Sequence, residues 1–403
     1  MYPTLKIEFF QVFLYNSFMK ILAIETSCDD TGIAILEADK RGNFKVLSNI
    51  IASQIEVHKK YGGVYPMLAK REHQKNLVPV LVKTLKESKL LSQKSKIENV
   101  GDKTIEKILE REPDLFKKTI SFLKKYRKPG IDVIAVTNGP GLEPCLWVGV
   151  NFAKALAFYW NLPIVKVNHV KAHIFVNSTK ELTKKDFPVL CLVVSGGHTQ
   201  LFLMKNFGKY QILGETRDDA AGECFDKCAK ILGLGYPGGP IISRLAAKAR
   251  LSRESRAFAK LPRPMIGTKD YDFSFSGLKT AVLYADRKTN PSARLRAGYK
   301  KQMAAEVQQA IIDVLLKKTM KAAMDFKVKT IILGGGVVAN KELRKQFIEK
   351  TKKLLSHVNL LMPEPKHCTD NGLMVAVAGY FRVKNNKFTK WQDIKADSNL
   401  RIE

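Results

Sequence analysis

The chain has 403 residues, 45% of them hydrophobic and 26% charged, which is enough for two or three domains with ordinary apolar cores. Its 68 lysines and arginines against 38 aspartates and glutamates give a formal net charge of +30, which favours polyanionic partners such as RNA, DNA or an anionic membrane unless it reflects a basic proteome. The 6 cysteines have no CxxC spacing and no apolar run reaches about 18 residues, so a disulfide framework, a zinc ribbon and a membrane-spanning helix are excluded and a reducing cytoplasm is expected.

The first 18 residues are apolar but are interrupted by Glu8 and Gln11, and they lack the basic start and small-residue cleavage site of a signal peptide. Met19 then opens a strand-like run, MKILAIETS. We therefore expect residues 1–18 to be an appendage or a mis-assigned start outside the fold.

The first half of the chain predicts alternating strands and helices. Residues 20–27 form an apolar strand, a polar turn reading CDDTG follows, and IAIL returns as the second strand of a hairpin. FKVLSNII is a candidate third strand, and residues 74–91 predict a helix. The lysine-rich residues 88–128 predict a basic, solvated helical insertion. Two buried strands, IDVIAVTNG and PIVKVNH, then flank the apolar helix LWVGVNFAKALAFYW.

The second half repeats the scheme. VLCLVVSGGHTQLFLM again predicts strand, glycine-rich turn and strand, and helices are expected at 222–233 and 240–250. A long amphipathic helix, AGYKKQMAAEVQQAIIDVLLKKTMKAAMDF, precedes a strand, loop and helix in KTIILGGGVVANKELRKQF. A short strand, VNLLMPEP, and the helix TDNGLMVAVAGYF follow. The repeat predicts a duplicated α/β fold with a cleft between its halves.

His169 and His173 stand four residues apart at the start of a helix that follows a predicted strand, where ligand sites of α/β proteins usually lie. Residues at i and i+4 share one helix face, so both imidazoles can reach one metal ion. The zinc-protease pattern HExxH adds a glutamate base, but Val170 stands at that position. Two solvated or helix-capping histidines are the alternative, and a third ligand is needed to choose between them.

Three glycine-rich turns are candidate anion or nucleotide sites. ETSCDDTG and SGGHT occupy equivalent places in the two halves, and their small residues let backbone N–H groups approach phosphates, although plain hairpin turns would look the same. His198 in SGGHT either contacts a phosphate or closes the turn. Gly334-Gly335-Gly336 joins a strand to a helix and suits the approach of a flat nucleobase, with Asn340 at the helix start. The absence of a GxxxxGKS/T sequence excludes a P-loop NTPase.

Carboxylates are dense in TRDDAAGECFDKCAK. Asp219 is a candidate helix N-cap, whereas Asp226 lies further into the helix and could accept hydrogen bonds from a ribose. Gly239 belongs to another close-approach turn, PGG. Asp370, in CTDNG, is either the N-cap of the last helix or the missing third metal ligand.

Nine motifs, in one order, resemble those of the TsaD family, the tRNA threonylcarbamoyladenosine-forming enzymes. They are ILAIETSCDDTGIAIL, YGGVYPMLAKREHQKN, VTNGPGL, HxxxH after VNH, LVVSGGHTQL, DDAAGECFDKCAKILGLGYPGGP, DFSFSGLKTAV, ILGGGVVANKELR and CTDNGLM. The resemblance runs from about Met19 to Phe381, and the DDAAGE and FSFSGLKTAV blocks are typical of the bacterial and organellar branch.

The resemblance implies an α/β, duplicated actin-like ATPase fold (ASKHA, RNase H-like), with two lobes and an interdomain nucleotide cleft. We expect the lobes at 19–172 and 173–403, with the basic insertion at about 88–128 in the first. This insertion is either a solvated linker or an added tRNA-binding element. A C-terminal helix near 370–383 is expected to pack back toward the cleft.

The resemblance also implies a metal site formed by His169, His173 and Asp370, usually with Fe²⁺ and alternatively with Zn²⁺. The substrate-binding positions that it implies are Val193, Val194, Ser195, Gly196, Gly197, Asp226, Gly239 and Asn340.

The implied reaction moves the threonylcarbamoyl group of L-threonylcarbamoyl-adenylate to N6 of the anticodon-adjacent adenosine, position 37, of tRNAs that read codons beginning with A, and releases AMP. The glycine-rich loops would hold the AMP moiety, the metal would act as a Lewis acid, and the basic surface would hold tRNA phosphates. The implied partners are tRNA, a TsaB-like paralogue and a TsaE-like ATPase, in the cytoplasm and away from membranes.

Three other functions fit parts of the pattern. An ATP-dependent small-molecule kinase of the same superfold would need Mg²⁺ rather than histidine ligands. A metalloprotease would need a glutamate in place of Val170. A TsaB-like scaffold would lack the three metal ligands, all of which this chain retains.

Overall fold

The structure, a computed structural model, describes residues 18–95, 103–177, 182–250, 260–289 and 297–402. The described chain forms two compact units. The first contains residues up to 54, from 64 to 177 and from 370 to 402, and the second contains 55–63 and 182–369. The predicted appendage lies outside the described residues, except for Phe18, which begins the first strand.

Strands and helices alternate along the described chain much as predicted. The strands are β1 (Phe18–Glu25), β2 (Asp30–Asp39), β3 (Phe44–Ser53), β4 (Val133–Gly139), β5 (Ile164–Asn168), β6 (Val189–Val194), β7 (Thr199–Asn206), β8 (Lys209–Glu215), β9 (Thr330–Gly334) and β10 (Asn359–Leu361). The α-helices are α1 (Ile55–Lys59), α2 (Pro66–Glu87), α3 (Lys103–Ile108), α4 (Pro113–Lys125), α5 (Glu143–Trp160), α6 (His169–Phe175), α7 (Ala221–Ile231), α8 (Gly238–Arg250), α9 (Ser276–Lys288), α10 (Ala297–Asp325), α11 (Lys341–Leu354) and α12 (Gly372–Lys384).

Each unit is built on a five-stranded mixed sheet, and the two sheets share one topology. The first has the order β3-β2-β1-β4-β5, with β1, β2 and β3 antiparallel and β1, β4 and β5 parallel. The second has the order β10-β9-β6-β7-β8, with β6, β7 and β8 antiparallel and β6, β9 and β10 parallel. This repeat confirms the predicted duplicated α/β fold.

The sheet of the first unit is covered by helices on both faces because its strands are apolar on both sides. Leu22 and Ile24 of β1 lie in one apolar cluster with Leu77 of α2 and Phe152 of α5. The alternate β1 residue Ile21 is also fully buried, and it lies beside α12 on the other face. Helix α12 packs against β1, β2, β5 and α6, and nearly all of its residues are buried.

The compact units differ from the lobe boundaries expected from the sequence, 19–172 and 173–403. The rest of α6 continues in the first unit, and residues 370–402 return to it. The reason is burial, because the apolar sides of α12 are covered by the sheet of the first unit. Glycines allow this close approach. A Cβ on Gly379 would lie 2.7 Å from Cβ of Ala135, and one on Gly372 would overlap the backbone of Ala34.

The lysine-rich insertion is less solvated than predicted. Within its described residues, α3 and α4 add buried apolar side chains to the core of the first unit: Ile105, Leu109, Leu115, Phe122 and Leu123. Glu112, between the two helices, is fully buried and accepts a hydrogen bond of 3.1 Å from Asn151 of α5. The lysines of α3 and α4 are exposed or half-buried, so they lie on the outer sides of helices that contribute to the core.

The second unit has its own core around the long helix α10. The stripe predicted for this helix is confirmed, because Met303, Val307, Ala310, Ile311, Val314 and Leu315 are all fully buried. In the part of the chain that the structure describes, no helix is both long and apolar enough to cross a membrane.

Candidate active site

The histidine pair lies where the sequence predicts it, on a helix that follows directly from a strand. β5 ends at Asn168, whose side-chain oxygen accepts a hydrogen bond of 3.0 Å from the backbone N–H of Lys171 and so caps α6. His169 and His173 then share one face of α6, with ring centroids 4.7 Å apart. Their side chains are buried, with 6% and 1% of their surface exposed, so the reading as solvated histidines is wrong.

Asp370 completes a group of three potential ligands. It precedes α12, but Asn371 is the N-cap of that helix, with its side-chain oxygen 3.1 Å from the backbone nitrogen of Met374. Oδ1 of Asp370 lies 3.1 Å from Nε2 of His173 and 3.6 Å from Nε2 of His169. One ligand atom from each residue lies within 4.8 Å of the others.

The chemistry of these three residues fits a transition-metal ion. Two imidazole nitrogens and one carboxylate oxygen are the donors of catalytic zinc and non-haem iron sites, which keep further positions open. Among the residues that the structure describes, neither ring nitrogen of the buried His173 has a hydrogen-bond partner, although Nε2 is only 3.1 Å from Oδ1 of Asp370. A buried polar atom without a partner is costly, and a cation held between the ring and the carboxylate would satisfy it.

The buried carboxylate of Glu25 contacts Nδ1 of His169, the ring nitrogen that does not face Asp370. Nδ1 of His169 lies 3.0 Å from Oγ of Ser27 and 3.3 Å from Oε2 of Glu25. Glu25 has no exposed surface, and its Oε2 also accepts a hydrogen bond of 2.6 Å from Oγ1 of Thr137. When His169 donates from Nδ1 to Glu25, its Nε2 keeps a lone pair for a metal.

The electrostatics of the site favour a positive charge. Burial alone would lower the pKa of His169, but the carboxylates of Asp370 and Glu25 outweigh it and raise that pKa to about 9. Burial alone would raise the pKa of Glu25, yet the adjacent His169 holds it below its usual range. Burial, together with Asp29 and Asp370, raises the pKa of Asp30 to about 7. The carboxylates thus create a negative potential that a metal cation would neutralise.

Ser27, in the first of the three turns, ETSCDDTG, contacts both Glu25 and His169. Ser27 donates its backbone N–H to Oε1 of Glu25, 2.5 Å away. His73 of α2 lies 2.8 Å from Oγ1 of Thr31 and 2.8 Å from the carbonyl oxygen of Cys28, which fixes the turn. Val170 is buried, so the glutamate position of a protease motif is apolar.

The predicted substrate positions lie in the second unit, around the carboxyl ends of β6 and β9. Val193 and Val194 end β6 with buried side chains, and Val193 pairs with Gly334 of β9. Ser195 starts the turn, and its Oγ accepts a hydrogen bond of 3.1 Å from the backbone N–H of His198. His198 therefore closes the turn. A Cβ added to Gly196 or Gly197 would meet no atom of the described residues within 4 Å, so the turn is open on this side.

The remaining positions lie in the same unit, with Gly239 and Asn340 at helix starts and Asp226 in the middle of α7. Gly222 of α7 donates its N–H to the carbonyl oxygen of Ser195, 3.1 Å away. Oδ1 of Asp226 accepts a hydrogen bond of 2.7 Å from Gly238, beside Gly239 at the start of α8. Asn340 caps α11 and donates from Nδ2 to Oε1 of Gln308, 2.8 Å away. The 3-10 helix Gly336–Ala339, just before Asn340, packs against α7, β6 and β9.

Sequence reasoning missed Glu25, Ser27 and Thr137 as parts of the site. The sequence did contain a signal for Glu25, because it is a charged residue directly after the apolar run ILAI of β1. A buried acid in such a place needs a partner. The partner, His169, is 144 positions away in the sequence, so spacing could not reveal it.

Comparisons with known proteins agree with the motifs. A family model described as "TsaD: tRNA N6-adenosine threonylcarbamoyltransferase" matches residues 45–99 and 113–377. The tRNA N6-adenosine threonylcarbamoyltransferase of Persephonella marina is 41% identical over 389 residues, which cover 96% of each chain. That of Thermosipho melanesiensis is 42% identical over 362 residues, or 90% of this chain and 94% of the relative.

Among solved structures, full-length HypF in its phosphate- and nucleotide-bound form matches with a TM-score of 0.51 and 14% identity. The match covers 92% of this chain and 47% of HypF. At this identity the likeness concerns the fold alone, and it agrees with the two equivalent sheets described above.

Proposed function

The chain belongs to the TsaD family, the tRNA N6-adenosine threonylcarbamoyltransferases, and from this premise we propose how its residues serve the reaction. The enzyme threonylcarbamoylates N6 of an adenosine in tRNA. In our proposal the acceptor is the adenosine beside the anticodon, position 37, of tRNAs that read codons beginning with A. The donor is L-threonylcarbamoyl-adenylate.

The chemistry of this donor makes modest demands on the protein. N6 of adenosine attacks the carbamoyl carbon, a C–N bond forms, and the C–O bond to the phosphate of AMP breaks. The proton that N6 loses passes to water, and AMP leaves as an anion that needs little protonation. Positioning of two large substrates therefore supplies most of the acceleration, and a strong general acid is not required.

The observation that carries the metal part of the proposal is the approach of His169, His173 and Asp370 to one point. Fe²⁺ is the ion we propose, and Zn²⁺ is the alternative that the same donors accept. When bound, the ion would polarise the carbamoyl carbonyl as a Lewis acid. Glu25 would hold His169 in the required orientation and tautomer.

The second unit is proposed to bind the AMP moiety. Its open turn, Ser195-Gly196-Gly197, offers backbone N–H groups of the kind that bind phosphate. Asp226 and Gly239 are proposed to lie along the ribose. Val193, Val194 and Asn340 shape the surrounding backbone, because their own side chains are buried or engaged in capping.

The charge of the protein supports the tRNA substrate. A formal net charge of +30 attracts a polyanion and holds it mainly through phosphates, with an affinity that falls as salt rises. We propose that a TsaB-like paralogue and a TsaE-like ATPase assist the reaction, and that it takes place in the cytoplasm. The kinase and metalloprotease alternatives are not favoured, given the family and the apolar Val170.

A transfer assay tests the proposal. The chain is incubated with unmodified tRNA, threonylcarbamoyl-adenylate and the two partner proteins, and the digested tRNA is analysed by mass spectrometry for threonylcarbamoyladenosine. We expect product from the native chain and none from the His169→Ala/His173→Ala variant. Product from neither, with ATP-dependent phosphorylation of a small molecule instead, would overturn the proposal in favour of a kinase.

A further inference from the structure

The C-terminal segment follows an ordered path over the first unit after α12 ends. The backbone N–H of Thr389 donates to the carbonyl oxygen of Ile164 in β5, 3.0 Å away. The ring of Trp391 packs against Phe158 of α5, with centroids 5.4 Å apart. Ile394 has no exposed surface and belongs to the main apolar cluster of this unit. These contacts anchor the chain just before residues 395–401, which we call the tail.

The tail lies against the end of β4 and the loop that follows it. The backbone N–H of Asp397 donates to the carbonyl oxygen of Asn138, 2.8 Å away, and Nδ2 of Asn138 donates to the carbonyl oxygen of Lys395 at 3.4 Å. The contact is so close that a Cβ on Gly139 would overlap the carbonyl oxygen of Asp397. The N–H of Gly141 also points to the carbonyl oxygen of Ser398, 3.4 Å away.

The tail also reaches the neighbouring strand, β5. Nδ2 of Asn168 donates to the carbonyl oxygens of Leu400 and Arg401, at 3.4 and 3.3 Å. Oδ1 of the same Asn168 side chain accepts a hydrogen bond from the backbone N–H of Lys171 and so caps α6. One side chain therefore connects the tail to the helix that carries both metal-binding histidines.

The two residues held by the tail are direct chain neighbours of the metal centre. Asn138 follows Thr137, whose hydroxyl donates to Glu25. Asn168 precedes His169, whose Nδ1 faces the same carboxylate. A displacement of the end of β5 would move His169 relative to Glu25, and a displacement of the end of β4 would disturb the hydrogen bond from Thr137 that orients Glu25.

We propose that the tail, residues 395–401, is a positioning element of the metal centre that locks the ends of β4 and β5 in the register needed for metal binding. The inference rests on the metal site of the proposed function. It goes beyond the family match, which ends at residue 377. Hydrogen-bond partners outside the ligand set typically change metal affinity about 10- to 100-fold, so the effect should be measurable.

The test is a titration of the full chain with Co²⁺ alone, followed through the visible absorption of the bound ion. One variant stops after Ile394, which keeps that buried anchor. It removes two basic and two acidic residues, so the formal net charge is unchanged. A second variant, Asn168→Ser, retains a capping hydroxyl but loses the amide donor that reaches the tail. Arg401→Ala is the control, because it changes an exposed side chain and leaves the backbone carbonyl in place.

We expect the truncated chain to bind Co²⁺ about 10-fold or more weakly than the native chain, with an altered spectrum. Asn168→Ser should change affinity in the same direction, and Arg401→Ala should bind as the native chain does. Unchanged affinity and spectrum in a truncated chain with native circular dichroism would overturn the proposal. If truncation prevents folding, Asn168→Ser replaces it in the test. Unchanged Co²⁺ affinity and spectrum in a folded Asn168→Ser variant would then overturn the proposal.

His173→Ala separates this inference from the proposed function. If His173→Ala loses the Co²⁺ spectrum but the truncated chain binds Co²⁺ as the native chain does, the metal site is supported and the proposed role of the tail is wrong. A native chain whose Co²⁺ spectrum is the same as that of His173→Ala would overturn the metal site itself, and this inference with it.

Discussion

Nδ1 of His169 lies 3.3 Å from Oε2 of Glu25, a carboxylate that has no exposed surface. The pair joins the end of β1 to the start of α6, two segments that are far apart in the sequence. Because Glu25 also accepts a hydrogen bond from Thr137, its orientation is fixed from a third element, β4. Nε2 of His169 is thereby directed toward Asp370, 3.6 Å from its Oδ1.

Replacement of Glu25 by glutamine tests whether this carboxylate tunes the metal centre. Glu25→Gln keeps the shape of the side chain but removes the charge that makes His169 a stronger ligand, so metal affinity should fall about 10- to 100-fold. Competition with a chelating dye measures the affinity. Glu37→Gln is the matched control, because Glu37 is on the same sheet but pairs with Lys20, 3.2 Å away. Equal affinities in the two variants would contradict the assigned role.

The close approach of α12 to the sheet predicts an unusual response to alanine at Gly372. In a helix interior alanine is more stable than glycine by roughly 1 kcal/mol, and at Gly372, the first residue of α12, we would expect at most this gain. Here the added Cβ would overlap the backbone of Ala34 in β2, so Gly372→Ala should instead destabilise the protein by about 1–3 kcal/mol. It should also weaken metal binding, because Asp370 is two residues away. Thermal unfolding and dye competition measure the two effects, and a raised Tm would refute the packing described for α12.

The open turn of the second unit predicts that Gly222 is required for AMP binding. A Cβ on Gly222 would lie 2.5 Å from the carbonyl oxygen of Ser195 and would push the turn out of place. We expect Gly222→Ala to weaken AMP binding about tenfold or more in calorimetry, a loss of roughly 1.4 kcal/mol. Gly267→Ala is the control, because a Cβ there meets nothing within 4 Å. Native-like AMP binding by Gly222→Ala would count against the turn as the phosphate site.

Asp218 is predicted to hold the FSFSGLKTAV motif in place. Burial alone would raise its pKa, but hydrogen bonds from Ser274 and Ser276 and from the backbone N–H groups of Phe275 and Ser276 hold that pKa below its usual range. A depressed pKa means that the carboxylate stabilises the loop at neutral pH, and that this stabilisation is lost only as the pH falls through the folded-state pKa.

Asp218→Asn imitates the protonated state at neutral pH, where the rest of the protein is unaffected. We expect faster hydrogen exchange at the amides of Phe275 and Ser276, with no change in the first unit. The control Glu349→Gln removes the same charge from an exposed position on α11. Unchanged exchange at both amides in Asp218→Asn would show that the carboxylate does not order the loop.

Local patterns in the sequence predicted much of this architecture. The alternation of apolar strands and polar turns predicted both hairpins. The spacing of Met303, Val307 and Ile311 predicted the buried face of α10. The histidine pair was also predictable, because i and i+4 residues share a helix face whatever the fold. These features depend only on neighbours along the chain.

Features that depend on distant parts of the chain were not predictable in this way. Asp370 as a partner of His169 came from the resemblance, since about 200 residues separate them. Helix α12 follows the second sheet in the sequence, yet its apolar surface is buried on the first. In the insertion, frequent lysines hide the spacing of Leu115, Thr119 and Phe122, which form the buried side of α4.

The central claim is that a transition metal held by His169, His173 and Asp370 is needed for transfer. The most direct measurement is the transfer assay after removal of tightly bound metal, with Mg²⁺ present throughout for the ATPase partner, followed by addition of Fe²⁺ or Zn²⁺. The account predicts that metal removal abolishes transfer, that one of these ions restores it, and that His173→Ala stays inactive with either. Undiminished transfer by the metal-stripped native chain, or by His173→Ala, would contradict it.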